Sequence, residues 1–260
     1  MKRSIEWQIA TIKAIKRETR NVKTYTLAIP NFTPHWSGQH YDLRLTAPDG
    51  YQAQRSYSIA SEPERTGEID LTVEQLENGE VSSYMHEVLM VGDEVEVRGP
   101  IGGYFVWEVT MGGPLLLVAG GSGIVPLMAM IRHRSASGAC HSGEAVDPGH
   151  AKIPTRLLYS SRSPEDVIYF EELMRLRAEC DGLEIYHTFT RQHPPEWTGY
   201  ARRIDNQMLS EVAAPLGKSA LTYVCGPTLL VEAVANGLVQ IGLSPQQIRT
   251  ERFGPTGSNS

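Results

Sequence analysis

Arg55-Ser56-Tyr57-Ser58 sets a fixed cation, an aromatic ring and two small hydroxyls in four consecutive positions. In a strand, residues two apart share a face, so Arg55 and Tyr57 project together while Ser56 and Ser58 turn to the other side or line a rim. That combination suits a ligand with phosphates at one end and a flat ring at the other. An ordinary edge strand uses the same residues as a solvated face, so the tetrapeptide alone decides little. A second group is Gly120-Gly121-Ser122-Gly123-Ile124-Val125-Pro126, placed where an apolar run gives way to a helical pattern. Glycines there let backbone N–H groups and a helix N-terminus come close to a pyrophosphate. The spacing is not Gly-x-Gly-x-x-Gly; a plain strand-to-helix turn explains glycines here but not their number. A third is Cys225-Gly226-Pro227, which closes a later apolar run and opens a helix at Thr228. Ligands of open α/β sheets lie outside the carboxyl ends of the strands, which turns Cys225 toward the same crevice as Gly121 to Gly123. A buried small thiol accounts for Cys225 equally well.

Two different grammars position these groups. From Ile5 to Trp107, two-residue alternation recurs at Trp7 to Ile12, Val22 to Leu27, Gln39 to Thr46, Arg55 to Ala60, Ile69 to Leu76 and Glu94 to Arg98. Turn residues fill the gaps, among them Pro48-Asp49-Gly50, Asn78-Gly79 and Gly99-Pro100. This predicts an antiparallel six-stranded β-barrel. Val81 to Leu89 reads as one short helix within it, with Met85, Val88 and Leu89 on a face. After Met111 come continuous apolar runs at Leu115 to Ala119, Leu157 to Tyr159, Leu183 to Tyr186 and Leu221 to Val224, as in strands buried on both faces. Between them Ser163-Pro164-Glu165-Asp166 predicts a capped helix start with Val167, Phe170, Leu173 and Met174 facing one way. Thr228 to Val239 predicts another helix, stopped by Gly242. Strands alternating with helices mean a doubly wound parallel sheet, an α/β domain. The expected division is 1–108 and 109–260.

The composition narrows the functions. A net charge of -6 over 260 residues argues against nucleic acid as partner, because phosphate backbones call for a basic surface. The uncharged run Met111 to Ile131 is too broken by glycine and proline for a membrane helix, and the start carries no apolar segment of a secretory signal. The three cysteines, Cys140, Cys180 and Cys225, are too few and too scattered for a disulfide framework, a zinc site or a cysteine-ligated iron–sulfur cluster. A cytoplasmic setting is expected. His133 to Pro154 is rich in Ser, Gly, Ala and His; His133, Cys140, His141 and His150 lack the spacing of a metal site, and the stretch is expected to be a surface loop without metal.

Taken in order, Arg55-Ser56-Tyr57-Ser58, Gly79-Glu80-Val81-Ser82-Ser83-Tyr84-Met85-His86, Gly120 to Pro126 and Cys225-Gly226-Pro227, with a barrel before a parallel-sheet half, resemble the ferredoxin–NADP reductase superfamily. The resemblance covers nearly the whole chain. It implies FAD as cofactor, with Arg55 on its pyrophosphate, Ser56 in the same motif, Tyr57 stacked on the isoalloxazine and Ser58 near flavin N5. Val81, Ser82 and Ser83 would offer donors to the pyrophosphate at the start of the short helix, where anions bind well. Gly120, Gly121, Ser122, Gly123, Ile124 and Val125, together with Gly226 and Pro227, would hold the nicotinamide dinucleotide, with Cys225 near the nicotinamide C4. Plant-type members end on a Glu, one residue and an aromatic; Glu251-Arg252-Phe253 has that spacing. Phe253 would then shield the flavin and Glu251 would join a hydrogen-bond relay with Ser58 and Cys225. Gly254 to Ser260 follow that aromatic, a departure from the pattern.

The implied reaction is hydride transfer from nicotinamide C4 to flavin N5, then release of electrons to an acceptor, with Ser58, Cys225 and Glu251 as the catalytic set. For the nucleotide, Ser161 and Arg162 stand at the end of the second strand of the sheet half, with Arg191 and Arg203 beyond. Arginines suit a 2′-phosphate, so NADPH is expected ahead of NADH. The acceptor is expected to be a separate carrier protein: a ferredoxin, a flavodoxin or an oxygenase component. Lys13, Lys16, Arg17, Arg20 and Lys23 gather on the first hairpin and would steer an acidic carrier. Two alternatives stand beside this reading: direct reduction of free flavin, ferric chelates or quinones, and a non-catalytic flavin- and nucleotide-binding subunit of a larger complex. A monomer is expected.

Overall fold

The computed structural model describes residues 5–137, 153–179 and 182–254. By contacts the chain divides into two compact units, Met1–Glu108 with Met128–His133, and Val109–Leu127 with Arg134–Ser260.

The first unit holds β1 (Gln8–Thr19), β2 (Val22–Ala28), β3 (His40–Thr46), β4 (Gln52–Ser58), β5 (Glu68–Glu74) and β6 (Glu94–Ile101). They form one antiparallel sheet in the order β4-β3-β6-β1-β2-β5. Alternation sets its inner face. Ile69, Leu71 and Val73 of β5 and Val95 and Val97 of β6 are buried, whereas Glu68, Asp70, Glu94 and Glu96 are not. Each such burial contributes about 1.5–3 kcal/mol, and a one-residue slip would expose the whole set. The sheet edges meet where Ile59 bridges Leu71 and the Ala60 N–H donates to Asp70 O (2.8 Å). α1 (Glu80–Glu87) sends Val81 and Met85 into the same core as Tyr25, Tyr41 and Leu43.

Two expectations for this unit are corrected. The first strand does not stop at Ile12; it runs to Thr19 through register shifts at Ile12/Ala14 and Arg17/Thr19, which break the alternation that marks a strand. The short helix ends at Glu87, so Val88 is half-exposed, and Leu89 packs on the core from beyond the helix.

The second unit holds β7 (Leu115–Gly120), β8 (Thr155–Ser161), β9 (Leu183–Phe189), β10 (Leu221–Pro227) and β11 (Ile248–Phe253), parallel in the order β11-β10-β7-β8-β9. Every residue of the central β7 is buried, as a strand covered on both faces requires. A 3₁₀ turn, Gly121–Gly123, leads into α2 (Ile124–Ser137). α4 (Asn206–Ala213) and α5 (Thr228–Gln240) pack Met208, Leu209, Val212, Val231, Val234 and Leu238 onto Leu116, Val118, Leu158 and Val224. Asp205 caps α4 by accepting the Met208 N–H (2.9 Å). α5 is followed by Gly242 in the left-handed region, which a helix stop needs.

β11 was not among the expected strands. It lies at the sheet edge with only Ile248 buried, so it lacks a continuous apolar run. The helix expected from Ser163 starts later. Pro164–Asp166 is a 3₁₀ turn, Ser163 Oγ donates to Asp166 (2.9 Å) instead of capping, and Tyr169 takes φ +62° before α3 (Phe170–Ala178) begins. Leu173 and Leu176 face inward, and Phe170 is left 46% exposed. Among the described residues, no helix is long and apolar enough to cross a membrane. Cys140, His141 and His150 lie outside the described residues, as does the tail beyond Gly254.

Candidate functional site

In the first unit, β4 pairs Arg55 with Leu43, Ser56 with Asp42, Tyr57 with Tyr41 and Ser58 with His40. Arg55 and Tyr57 therefore share a face, with Ser56 and Ser58 on the other. Arg55 is exposed, and its guanidinium donates to the Gln54 carbonyl (2.6 Å), which neutralises none of its charge. Tyr57 is half-buried against the core. Burial pushes its phenol up to about 12, against the pull of Arg55, so it presents a neutral aromatic face. Ser58 is 4% exposed and its Oγ has no hydrogen-bond partner. A buried hydroxyl left unpaired costs about 1–3 kcal/mol, a cost that a ligand acceptor would remove.

Ser56 is held differently. Its hydroxyl donates to Asp42 (2.6 Å), which also accepts from Arg98 (2.6 Å). Burial raises the Asp42 carboxyl, but the bonds from Ser56 and Arg98 outweigh it and hold the pKa below the usual value. Ser56 thus fastens the strand to its neighbours.

α1 begins at Gly79, which offers no side-chain cap, so the first-turn amides have no intrahelical acceptor. The Ser83 N–H is already spent on Gly79 O (2.8 Å). The Ser82 hydroxyl accepts from Leu76 N–H (3.2 Å) and donates to Gly79 O (3.2 Å), closing the turn. Val81 and Ser82 are left with their amides to offer, and Ser83 with its hydroxyl. A Cβ at Gly79 would stand 2.3 Å from Ser82 Oγ and 2.9 Å from Leu76 Cβ, so a larger residue there must displace the Ser82 hydroxyl that closes the turn. An exposed cation, a flat ring, an orphaned hydroxyl and free helix-start amides are the donors and surfaces that FAD calls for, and the residues fit it.

In the second unit, Gly121 sits at φ +53° and starts the 3₁₀ turn. A Cβ at Gly123 would lie 2.1 Å from Cys225 O. The turn is thereby pressed against the end of β10, bringing Gly120 to Val125 beside Cys225, Gly226 and Pro227. The Ile124 N–H folds back on Gly121 O and Ser122 O, leaving the earlier amides of the turn without helical acceptors. Such a turn has the amides to take a phosphate, and the residues fit a dinucleotide.

β11 runs alongside β10 with Glu251 opposite Cys225 and Phe253 opposite Pro227. Cys225 is fully buried, and burial together with the Glu251 charge drives its thiol pKa well up, with the Gly226 N–H opposing. Burial raises Glu251 to about 7, and its Oε2 has no partner. The pair offers a protonated thiol next to a carboxyl that exchanges its proton near neutrality.

The ends of β8 and β9 gather the arginines. Thr190 N–H donates to Ser161 O (3.0 Å) and Arg191 N–H to Arg162 O (2.9 Å). Thr188 bridges Tyr200, and its hydroxyl donates to Arg202 O, which brings Arg203 to the same corner. Arg162, Arg191 and Arg203 are all exposed, and beside them Ser161 Oγ is buried without a partner. Arg202 is occupied by Asp205 (2.6 Å). On the first hairpin, Lys16 pairs with Glu18 (3.0 Å) and Lys23 donates to His86 O (2.7 Å), so part of that basic group is engaged within the chain.

Sequence reasoning passed over Tyr159, whose hydroxyl donates to Gly121 O (3.1 Å). Its only signal was a polar atom within the apolar run Leu157-Leu158-Tyr159. Among the described residues, no group of three His, Cys, Asp or Glu side chains is placed to hold a metal.

Residues 9–106 match the model of the oxidoreductase FAD-binding domain, and 117–236 that of the oxidoreductase NAD-binding domain. The glycine betaine monooxygenase reductase subunit of Pseudomonas aeruginosa is 30% identical over 95% of this chain. The chain spans 64% of that relative's length. NADH-cytochrome b5 reductase 1 of Emericella nidulans is 30% identical, over 91% of this chain and 75% of that protein. Among solved structures, the FAD/NAD-binding domain of a Vibrio cholerae nitric oxide dioxygenase has a TM-score of 0.80 at 21% identity, covering 95% of this chain and 99% of that one. A Neisseria gonorrhoeae ferredoxin NADP+ reductase with bound FAD and NADP has a TM-score of 0.77 at 19% identity, covering 96% and 99%. At those identities the likeness concerns the fold.

Proposed function

Because the chain belongs to the ferredoxin–NADP reductase superfamily, a flavoprotein oxidoreductase with an FAD-binding and an NAD-binding domain, we propose that it draws reducing equivalents from NADPH, and less well from NADH, and delivers them to a separate carrier protein. Residues 1–108 take the FAD and residues 109–260 the nicotinamide nucleotide. Bound FAD supplies the redox chemistry, accepting a hydride and releasing electrons singly. The protein supplies alignment, charge and a proton.

Arg55 and the amides of Val81 and Ser82 balance the FAD phosphates, with the Ser83 hydroxyl beside them; Tyr57 stacks on the ring and Ser58 offers its free hydroxyl. Ser56 serves by fixing the strand to Asp42. Gly120 to Val125, with Gly226 and Pro227, cradle the second pyrophosphate. Cys225 would lie beside the nicotinamide as a neutral thiol, with Glu251 exchanging a proton near pH 7. The observation that carries the reading is the orphaned Ser58 hydroxyl on the same strand as Tyr57 and the unneutralised Arg55.

NADPH is favoured by the arginine corner, where Arg162, Arg191 and Arg203 stand at the strand ends that receive the adenosine ribose in this class of sheet. The relative named NADH-cytochrome b5 reductase favours NADH as the second reading. A carrier protein as acceptor, a ferredoxin, a flavodoxin or an oxygenase component, is supported by relatives whose names describe a monooxygenase reductase subunit and a cytochrome b5 reductase. The test is anaerobic titration of the purified, yellow protein with NADPH and NADH side by side. Bleaching of the flavin band at lower NADPH than NADH is expected. A colourless protein, or a flavin that neither nucleotide reduces, would refute the proposal.

A further inference from the structure

We propose that Tyr159 is a positioning residue for the dinucleotide: its hydroxyl fixes the peptide plane of the glycine turn so that the Ser122 amide faces outward to the pyrophosphate. This rests on the reading of Gly120 to Val125 as the nucleotide cradle.

Tyr159 lies in the middle of the sheet, flanked in register by Ala119 of β7 and His187 of β9, and is fully buried apart from its hydroxyl's polar contacts. That hydroxyl donates to Gly121 O (3.1 Å) and accepts the Ile168 N–H (3.3 Å). Gly121 O also receives the Ile124 N–H. A carbonyl oxygen has two lone pairs, and here both are committed to inward donors. The peptide bond is planar and trans, so its N–H points opposite to its C=O. Holding Gly121 O toward the phenol therefore turns the Ser122 N–H away from it.

A flip of that plane rotates ψ of Gly121 and φ of Ser122, and Gly121, lacking a Cβ, does little to restrict the rotation on its side. A flipped plane would present a carbonyl oxygen, not an amide, to an anion. The phenol supplies the missing constraint. Through Ile168 it also ties the turn to the segment that follows Ser161 and Arg162, so two stretches assigned to the nucleotide hang on one oxygen.

The experiment measures binding of ADP-ribose and NADP+ by calorimetry to FAD-loaded wild type, Tyr159→Phe and Gly123→Ala, together with KM and kcat for NADPH oxidation. Tyr159→Phe keeps the ring and removes only the hydroxyl. Its expected signature is affinity for both ligands and KM weakened about 5- to 10-fold, the order of one hydrogen bond's net worth, with kcat at saturation and FAD content unchanged. Hydrogen exchange at the Gly123 and Ile124 amides should quicken in the same variant, and this readout stands even if its melting temperature falls. Unaltered affinity in Tyr159→Phe while Gly123→Ala abolishes binding would overturn the role of Tyr159 and leave the cradle standing. Equal binding by wild type and Gly123→Ala would overturn the cradle and Tyr159 with it. A fall in kcat with affinity unchanged would likewise overturn the proposal.

Discussion

Glu251→Gln tests the proton-exchanging carboxyl most directly. The Glu251 pKa is lifted from its ordinary 4.5 to about 7 by burial, with Oε2 unpaired and the Cys225 thiol across the strand pair. A shift of that size is equivalent to about 3 kcal/mol between the two protonation states. The sign follows from proton counts. Between pH 4.5 and 7 the folded carboxyl holds its proton while the unfolded one has lost it, so folding is favoured least where the pH is high. The contribution is therefore intact below 4.5, declines as pH rises to 7, and is constant above. Glutamine keeps the shape and cannot ionise, so its stability relative to wild type should rise by up to about 3 kcal/mol between pH 4.5 and 8. The site-specific assay is a pH titration of the side-chain carboxyl carbon of Glu251 in ¹³C-glutamate-labelled protein. A midpoint near 7 is expected. A midpoint below about 5, or a difference between variant and wild type that does not change with pH, would refute the burial argument.

Two further predictions concern the second unit. His187 is 8% exposed, neither ring nitrogen has a partner, and burial, aided by the Arg177 charge, lowers its pKa to about 4; between pH 6.5 and 4 the unfolded state alone binds the proton, so stability should fall on acidification across that window. His187→Phe, which keeps the stack on Phe189, should remove up to about 3 kcal/mol of that acid sensitivity, measured by urea unfolding at pH 4.5 and 7.5; an unchanged acid slope would contradict it. Arg162→Ala should raise KM for NADPH about 10- to 100-fold, the worth of a charged hydrogen bond, and leave KM for NADH nearly unchanged; equal losses for the two nucleotides would remove the preference.

How much of this was legible in the sequence depends on how local the signal was. Alternation over Ile69 to Val73 and the apolar run at Leu115 to Ala119 revealed the two sheets because each strand's burial is written into its own residues. β11 carried no such mark: as an edge strand it buries only Ile248, and its place is set by pairing with β10, a contact made some two dozen residues away in sequence. The Ser163-Pro164-Glu165-Asp166 cap signal was real chemistry with another outcome, since Ser163 found the Asp166 carboxylate before it found a backbone amide, and Asp and Ser compete for local bonds in this way.

The same distinction runs through the site. Residue types marked groups capable of meeting a ligand, Arg55, Tyr57 and the glycines among them, although each motif alone also suits an ordinary strand or turn. They could not tell which donors would be free. Ser56, Ser58 and Ser82 are one residue type in two motifs, yet Asp42 consumes the first hydroxyl, the second has no partner, and the third closes the turn before α1. What separates them is what each hydroxyl meets in the fold: the carboxylate of a neighbouring strand, nothing, or the backbone of the turn beside it. A motif thus specifies a set of capable groups, and the pairing made on folding decides which of them remain available to a ligand. On that ground, of these three, Ser58 and neither Ser56 nor Ser82 keeps a hydroxyl left to act.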